Sequence, residues 1–344
     1  MYMQSLENST RQSSAVSVGS TDLVSKAGPR IHFCVDDRFP SPGHIQAADR
    51  IAQAMGGSLF FVRTLDTAIR NSGPADPVEW DIFRRQALND LHSFVEESEG
   101  LRSGLVCKLA EGNQRSQLLA CISPDRRDIL AAVRSDGDTF PPSRLSSTLV
   151  SGYDHTTLIL PERMDRSSQT DKLRLLVPLD GSSKAEGALP TAIRLCRRGL
   201  TELVLFHSVK LPSTGSALKL PKDLIKKQSQ TARSQRSFAS QYLSRLQERL
   251  HGCGFKTTVK ISETDDERRD ILAHLSELDA GMVVLSPKGC GDHDDVALGD
   301  VARFIVEKSP VPVLLSRSPM SQGRSAKGEP EPTSLVRKPV GHLQ

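Results

Sequence analysis

The chain repeats itself. Aligning Asp36 with Asp180, an offset of 144 positions, lays residues 31–65 over residues 175–209 without a gap. Apolar residues meet apolar residues along that stretch, at Ile31/Leu175, Phe33/Val177, Val35/Leu179, Ile45/Leu189, Ala48/Ala192, Ala52/Cys196, Leu59/Leu203, Phe60/Val204 and Phe61/Leu205. A second register, with Gly137 on Gly289 at an offset of 152, carries the match through Glu111/Glu263, Leu119/Ile271, Val133/Leu285 and Leu149/Val301. The eight extra residues of the second copy therefore lie between the two matched stretches. A repeat of this period within 344 residues implies two domains of one kind, each long enough to bury a core.

Each copy opens on a short apolar run, continues with apolar residues three or four apart, and returns to a short apolar run. That is the βαβ pattern, and near-continuous apolar strands indicate a parallel sheet covered on both faces. The expected fold is α/β, with two doubly wound, open, parallel five-stranded sheets carrying helices on both faces. A long helix is expected in each copy, with Trp80, Phe83, Ala87, Leu91 and Phe94 as the core-facing stripe of the first. Phe238, Tyr242, Leu246 and Leu250 form the corresponding stripe of the second. The copies close on residues 157–160 and 311–315, and Pro312, which cannot donate to a ladder, places the last run at a sheet edge or a strand start. The expected division is a disordered tail at 1–28, a degenerate domain at 29–163, a linker at 164–171, a clearer domain at 172–318 and a second disordered tail at 319–344. The tails are rich in Ser, Gln and Thr or in Pro, Gly, Lys and Arg, and offer too little burial to offset ordering entropy.

The net charge of +4 is spread along the chain, which favours neither nucleic acid nor an anionic membrane. The basic segments 222–227 and 245–249 lack interleaved aromatics, so nucleic acid is not an expected partner. No segment approaches the roughly 18 to 20 apolar residues of a bilayer span, and Met1–Ser20 is polar, so no membrane partner and a cytoplasmic location are expected. The six cysteines show neither zinc nor disulfide spacing and read as small core residues, except Cys290, which lies between Gly289 and Gly291 and is expected to be exposed. Phosphate-loop, nucleophile-elbow and His-Glu-x-x-His motifs are all missing. His207 ends an apolar run with no nucleophile or carboxylate spaced to work with it, and reads as a core or rim residue.

The stretch Leu173-Arg-Leu-Leu-Val-Pro-Leu-Asp-Gly-Ser-Ser-Lys-Ala-Glu-Gly-Ala-Leu-Pro190 resembles the opening of universal stress protein domains, where a strand ends in an Asp-Gly-Ser turn that starts a helix. A second signature runs from Met282–Leu285 into Ser286-Pro-Lys-Gly289 and, nine residues on, Gly299-Asp300. It resembles the family pattern of Gly, two residues, Gly, nine residues, Gly, then Ser or Thr. The resemblance implies an adenine nucleotide alpha hydrolase-like, Rossmann-like fold and a site for ATP or another adenine nucleotide. It implies that Asp180 meets the adenine or ribose, that Leu179 and Val209 wall the adenine pocket, and that Gly289, Gly299 and the amide of Val301 contact phosphate. Glycines at such a loop admit close backbone approach, and a helix start favours an anion. This sequence departs from the pattern at Ser286, in place of the first glycine, and at Asp300, in place of the Ser or Thr. Two like charges ~4 Å apart at an effective dielectric near 20 repel by about 4 kcal/mol, against the ~0.3 to 1 kcal/mol that a helix start returns. A weakened phosphate grip is therefore expected. Mg2+ bridging Asp300 and the acidic loop Asp292–Asp295 to phosphate is an alternative, and Asp300 acting as a helix cap is another.

In the first copy Asp36 is kept, Asp37 and Arg38 stand where Gly and Ser would be, and Arg134 and Ser147 replace glycines, while Gly137 and Thr148 remain. This copy is expected to keep the fold and lack the ligand. The functional expectation is a non-catalytic stress-response regulator or scaffold with a degraded nucleotide site in its second half. The alternative is an ATP-binding protein with weak ATPase or nucleotidyl-transfer activity. Single domains of the family often dimerise through the last strand. A tandem chain is expected to satisfy that interface internally as a pseudo-dimer, by pairing Thr157–Leu160 with Val311–Leu315. A homodimer and an unknown protein partner remain open.

Overall fold

The computed structural model describes residues 16–18, 28–35, 39–65, 76–98, 106–122, 128–134, 149, 155–164, 173–197, 199–210, 222–290 and 298–317. After β1 (Val16–Val18), the first half runs β2 (Arg30–Val35), α1 (Pro42–Ala54), β3 (Ser58–Leu65), α2 (Pro77–Ser98), β4 (Val106–Glu111), α3 (Gln114–Cys121), β5 (Ile129–Val133) and β6 (Thr156–Leu160). The second half runs β7 (Leu173–Pro178), α4 (Ser183–Glu186), α5 (Leu189–Leu195), β8 (Thr201–Lys210), α6 (Lys222–Leu250), β9 (Lys256–Thr264), α7 (Glu267–Glu277), β10 (Met282–Leu285), α8 (Asp300–Lys308) and β11 (Val313–Leu315).

The described strands form one sheet in the order β1-β4-β3-β2-β5-β6-β11-β10-β7-β8-β9. Counted outward from the middle, both halves have the same order, β6-β5-β2-β3-β4 on one side and β11-β10-β7-β8-β9 on the other. Pairing within each of these five-stranded sets is parallel. The two expected five-stranded sets are strands of one sheet, joined through the segments 157–160 and 311–315 that were expected to pair. β6 and β11 pair antiparallel, with Ile159 opposite Val313, Leu158 opposite Leu314 and Thr157 opposite Leu315. An unpaired edge presents a row of unsatisfied amides and carbonyls, and joining the halves removes two such edges. β11 is thus a central strand, with Pro312 just before it, where the missing N–H costs no ladder bond and the carbonyl still accepts from Val283 N at 3.0 Å. At the far end β1, within the segment expected to be a disordered tail, pairs antiparallel with β4. The remaining residues of both expected tails, apart from Gly28, lie outside the described residues.

The helices form where the pattern places them. In α1, Pro42 follows the N-cap Ser41, and Ile45, Ala48, Ile51 and Ala52 are buried on one stripe. His44 reinforces this start: its Nδ1 accepts from the Ser41 amide at 3.1 Å, and its Nε2–H donates to the carbonyl of Pro161 at 2.9 Å. In α2 the expected stripe is kept, with Ala87, Leu91 and Phe94 buried and Trp80 and Phe83 packed against the core.

The stripe of α6 agrees with the expected one at Tyr242, Leu246 and Leu250 and departs from it at Phe238. Ala239, Leu243, Leu246 and Leu250 are buried, whereas Phe238 is 64% exposed. Spacings of four drift around a helix of 3.6 residues per turn, so a run of every fourth residue leaves the buried face over three turns.

One apolar cluster takes Ile31, Phe33 and Phe61 from the first half together with Leu175, Val177 and Leu205 from the second. Ile159 of β6 belongs to a second cluster built on Val283, Val313 and Leu315. Arg134, 9% exposed, also crosses the join: its Nη1 donates to the carbonyls of Val306 and Ser309, each at 3.0 Å, at the C-terminal end of α8. Arg197 Nη2 donates to the carbonyl of Gln53. Among the described residues no helix is long and apolar enough to cross a membrane.

Candidate functional site at the mouth of the second half

Parallel strands leave their carboxyl ends open at one edge of a doubly wound sheet, and ligands of such sheets bind there. At that edge β7 passes through Leu179 and Asp180 into a turn at Gly181, whose φ of +85° is costly for any residue with a Cβ. Ser182 then caps α4, its Oγ accepting from the amide of Ala185 at 3.1 Å.

Asp180 ties the two sequence signatures together. Its Oδ1 accepts from the amide of Ser182 at 2.8 Å, and its Oδ2 accepts from the amide of Cys290, in the loop after β10, at 2.6 Å. Burial pushes its carboxyl up, but the hydrogen bonds from the Ser182 hydroxyl and from the Cys290 and Ser182 amides outweigh burial and hold it below the usual carboxylate range. The carboxylate is therefore ionised and rigidly aimed. A carboxylate offers about four acceptor sites, and the Ser182 hydroxyl and the amides of Ser182 and Cys290 take three of them.

The other expected residues cluster around this turn. Leu179 and Val209 are buried at the ends of β7 and β8. Ser286 follows β10, and Gly289 and Cys290 lie three and four residues further on. Gly299 is brought back beside this segment, its amide donating to the carbonyl of Pro287 at 2.8 Å. It is the N-cap of α8 and makes no side-chain cap bond, so the first-turn amides, that of Val301 among them, have neither a cap nor an intrahelical acceptor. Asp300 is not the cap. It is the first residue of α8, its side chain is 77% exposed, and its Oδ2 accepts from Arg268 Nη1 at 2.9 Å. The repulsion expected from Asp300 is thereby reduced. Near water's dielectric, a ~4 Å separation gives about 1 kcal/mol rather than 4, before the arginine is counted. Asp292–Asp295, on which the bridging Mg2+ depends, lie outside the described residues. Among the described residues no group of three His, Cys, Asp or Glu side chains could hold a metal ion.

The sequence patterns did not pick out Glu267 at the mouth, and they placed Tyr242 only in the core stripe of α6. Glu267, the first residue of α7, is pushed up by burial and then by the charge of Asp180, while Lys210 pulls it down. Tyr242 donates to Glu186 Oε1 at 3.0 Å, and burial, then the charge of Glu186, raises its phenol. The available signal was the run Asp265-Asp266-Glu267-Arg268 directly after a strand, since every helix start that follows a parallel strand lines the same mouth.

His207 is a rim residue: its Nδ1–H donates to the carbonyl of Leu179 at 2.6 Å, and burial, opposed by that bond and by Asp180, lowers its pKa. The hydroxyls of Ser208 and Ser262 both donate to Asp270, at 2.7 and 2.9 Å, and so are committed to bracing β8 and β9 against α7. Cys290 is exposed as expected, and so is Cys253, while Cys34 and Cys107 are buried. In the first half, Asp36, Asp37, Arg38, Gly137, Ser147 and Thr148 lie outside the described residues, and Arg134 is the interdomain contact already described.

The model of the universal stress protein family matches residues 173–317. Among solved structures, a universal stress protein from Archaeoglobus fulgidus DSM 4304 is similar over 83% of this chain and 96% of its own, at 17% identity and a TM-score of 0.55. A putative universal stress protein from Pseudomonas aeruginosa UCBPP-PA14 covers 84% of this chain and 93% of its own, at 14% identity and a TM-score of 0.51. At these identities the likeness is one of fold, and it extends over both halves. A universal stress protein family protein from Arabidopsis thaliana, solved with AMP bound, covers 45% of this chain and 97% of its own at 13% identity, but its TM-score of 0.31 carries no argument about this site. No curated protein matches the sequence.

Proposed function

We propose that the chain, whose residues 173–317 match the model of the universal stress protein family, is a non-catalytic, cytoplasmic stress-response regulator that holds an adenine nucleotide weakly at the mouth of its second half. Its first half serves as a built-in partner in an internal pseudo-dimer. The observation that carries the reading is the Asp180 carboxylate, held ionised between the amides of Ser182 and Cys290 and adjoining an α8 start without a side-chain cap. An anchored acceptor near a helix start without a side-chain cap suits a ligand with hydrogen-bond donors at one end and anionic charge at the other. An adenine nucleotide is such a ligand.

The weakness follows from Asp300, whose charge stands at the same helix start, partly countered by Arg268. Titration calorimetry with ATP and ADP, with and without Mg2+, tests the reading. Saturable binding is expected in the wild type, weakened about tenfold or more in Asp180→Asn, which removes a charged acceptor, and tightened about fivefold in Asp300→Ser. Binding that needs Mg2+ would instead favour a metal bridge at Asp300. Heat-free titrations in every condition would overturn the nucleotide reading and leave a scaffold. ATP turnover abolished by Asp180→Asn would replace it with the enzymatic alternative.

A further inference from the structure

Phe238 is the residue of α6 that its helix leaves unexplained. The buried stripe of the helix passes through Ala239, Leu243, Leu246 and Leu250, while Phe238 beside it is 64% exposed. Its placement ties it to the mouth of the second half. The Cε1 edge of its ring lies 3.7 Å from the point where a Cβ on Gly181 would sit. One turn along, Tyr242 reaches Glu186 in α4 and feels the charge of Asp180. Helix α6 therefore runs across the Asp-Gly-Ser turn, and its aromatic residue stands one residue away from the anchored carboxylate. The positive φ of Gly181 keeps a side chain from that position, which leaves the approach to the ring uncovered.

We propose that Phe238 is a specificity-determining residue, a stacking surface for the purine ring of a nucleotide held by Asp180. The inference rests on the nucleotide reading given above. A planar base that donates to Asp180 would lie beside the exposed Phe238 side chain, whose ring can turn a face to it, and stacking selects for the base while ignoring the phosphates. An exposed phenylalanine loses little in the free protein and gains when a second apolar plane covers it. Base–aromatic stacking of this kind changes affinity by roughly 5- to 150-fold on truncation to alanine.

The test is calorimetry of the full chain with ATP and, separately, with inorganic tripolyphosphate, on the wild type, Phe238→Ala, Phe238→Trp and Asp180→Asn. Phe238→Ala is expected to weaken ATP at least fivefold and to leave tripolyphosphate unchanged, whereas Phe238→Trp keeps or tightens ATP. Equal ATP affinity in wild type and Phe238→Ala, with Asp180→Asn still impaired, would overturn the stacking role and leave the nucleotide site standing. Equal losses of ATP and tripolyphosphate in Phe238→Ala would show a structural role and overturn it too. A wild type that binds tripolyphosphate but not ATP would sink both readings. The Phe238 side chain is exposed, so matched circular dichroism and melting curves are expected for the wild type, Phe238→Ala and Phe238→Trp.

Discussion

At Asp180 and Glu267 the same neighbourhood pushes two carboxyls in opposite directions. Asp180 gains amide and hydroxyl donors and is lowered, whereas Glu267 is buried beside that negative charge and is raised. The signs of their contributions to stability differ accordingly. What Asp180 contributes is present above its unfolded value near 3.8 and is lost as pH falls through the lower folded one. What Glu267 contributes is present below its unfolded value near 4.5 and is lost as pH rises through the higher folded one. Glu267→Gln is therefore expected to raise the urea midpoint at pH 7.5, with the gain fading toward pH 4; an equal gain at both would deny that ionisation is the cause. Asp180 could be found from the Asp-Gly-Ser motif alone. Glu267 was marked only by its place at a helix start after a strand, because its character comes first from burial and then from a carboxylate 87 positions away in the chain, between residues 180 and 267.

Among the elements, α6 and α8 show how far a linear pattern reaches. The existence of α6 was legible from its apolar spacing, and Tyr242, Leu246 and Leu250 face the core as expected, but Phe238 does not. Phe238 and Leu243 are both apolar, and only the sheet below decides which of them faces inward. α8 was expected from the glycine pattern that precedes it. Its other end is held by Arg134 from the first half, which satisfies the carbonyls of Val306 and Ser309. Terminal helix carbonyls have no intrahelical donor, and a guanidinium there also meets the negative end of the helix dipole. Arg134→Met is expected to cost about 2 to 3 kcal/mol in chemical denaturation, in the range of charged hydrogen bonds within a buried contact. Loss of less than half that amount would show that water replaces the guanidinium. Arg134 stood out in the sequence only as a residue replacing a glycine, and nothing along the chain connects it with residues 172 and 175 positions away.

For the molecule, the join at β6 and β11 makes a single sheet and carries one apolar cluster across both halves. Domains that share a core lose it together. The wild type is therefore expected to unfold in one transition, with the fluorescence of Trp80, the only tryptophan, coinciding with far-ultraviolet circular dichroism from both halves. A fluorescence midpoint displaced from the dichroism midpoint would mean that the halves unfold separately. The repeat, the α/β class, the parallel strand pattern within each half and the motif around Asp180 were legible in the order of residues, because they depend on periodicity and on contacts between near neighbours. The antiparallel sense and register of the seam expected between residues 157–160 and 311–315, the turn of α6 that leaves Phe238 bare, the reach of Arg134 and the pairing of Arg268 with Asp300 were settled only when the chain closed on itself. Each of these is a choice between partners far apart in sequence, and an apolar or charged residue carries no mark of which distant surface will accept it.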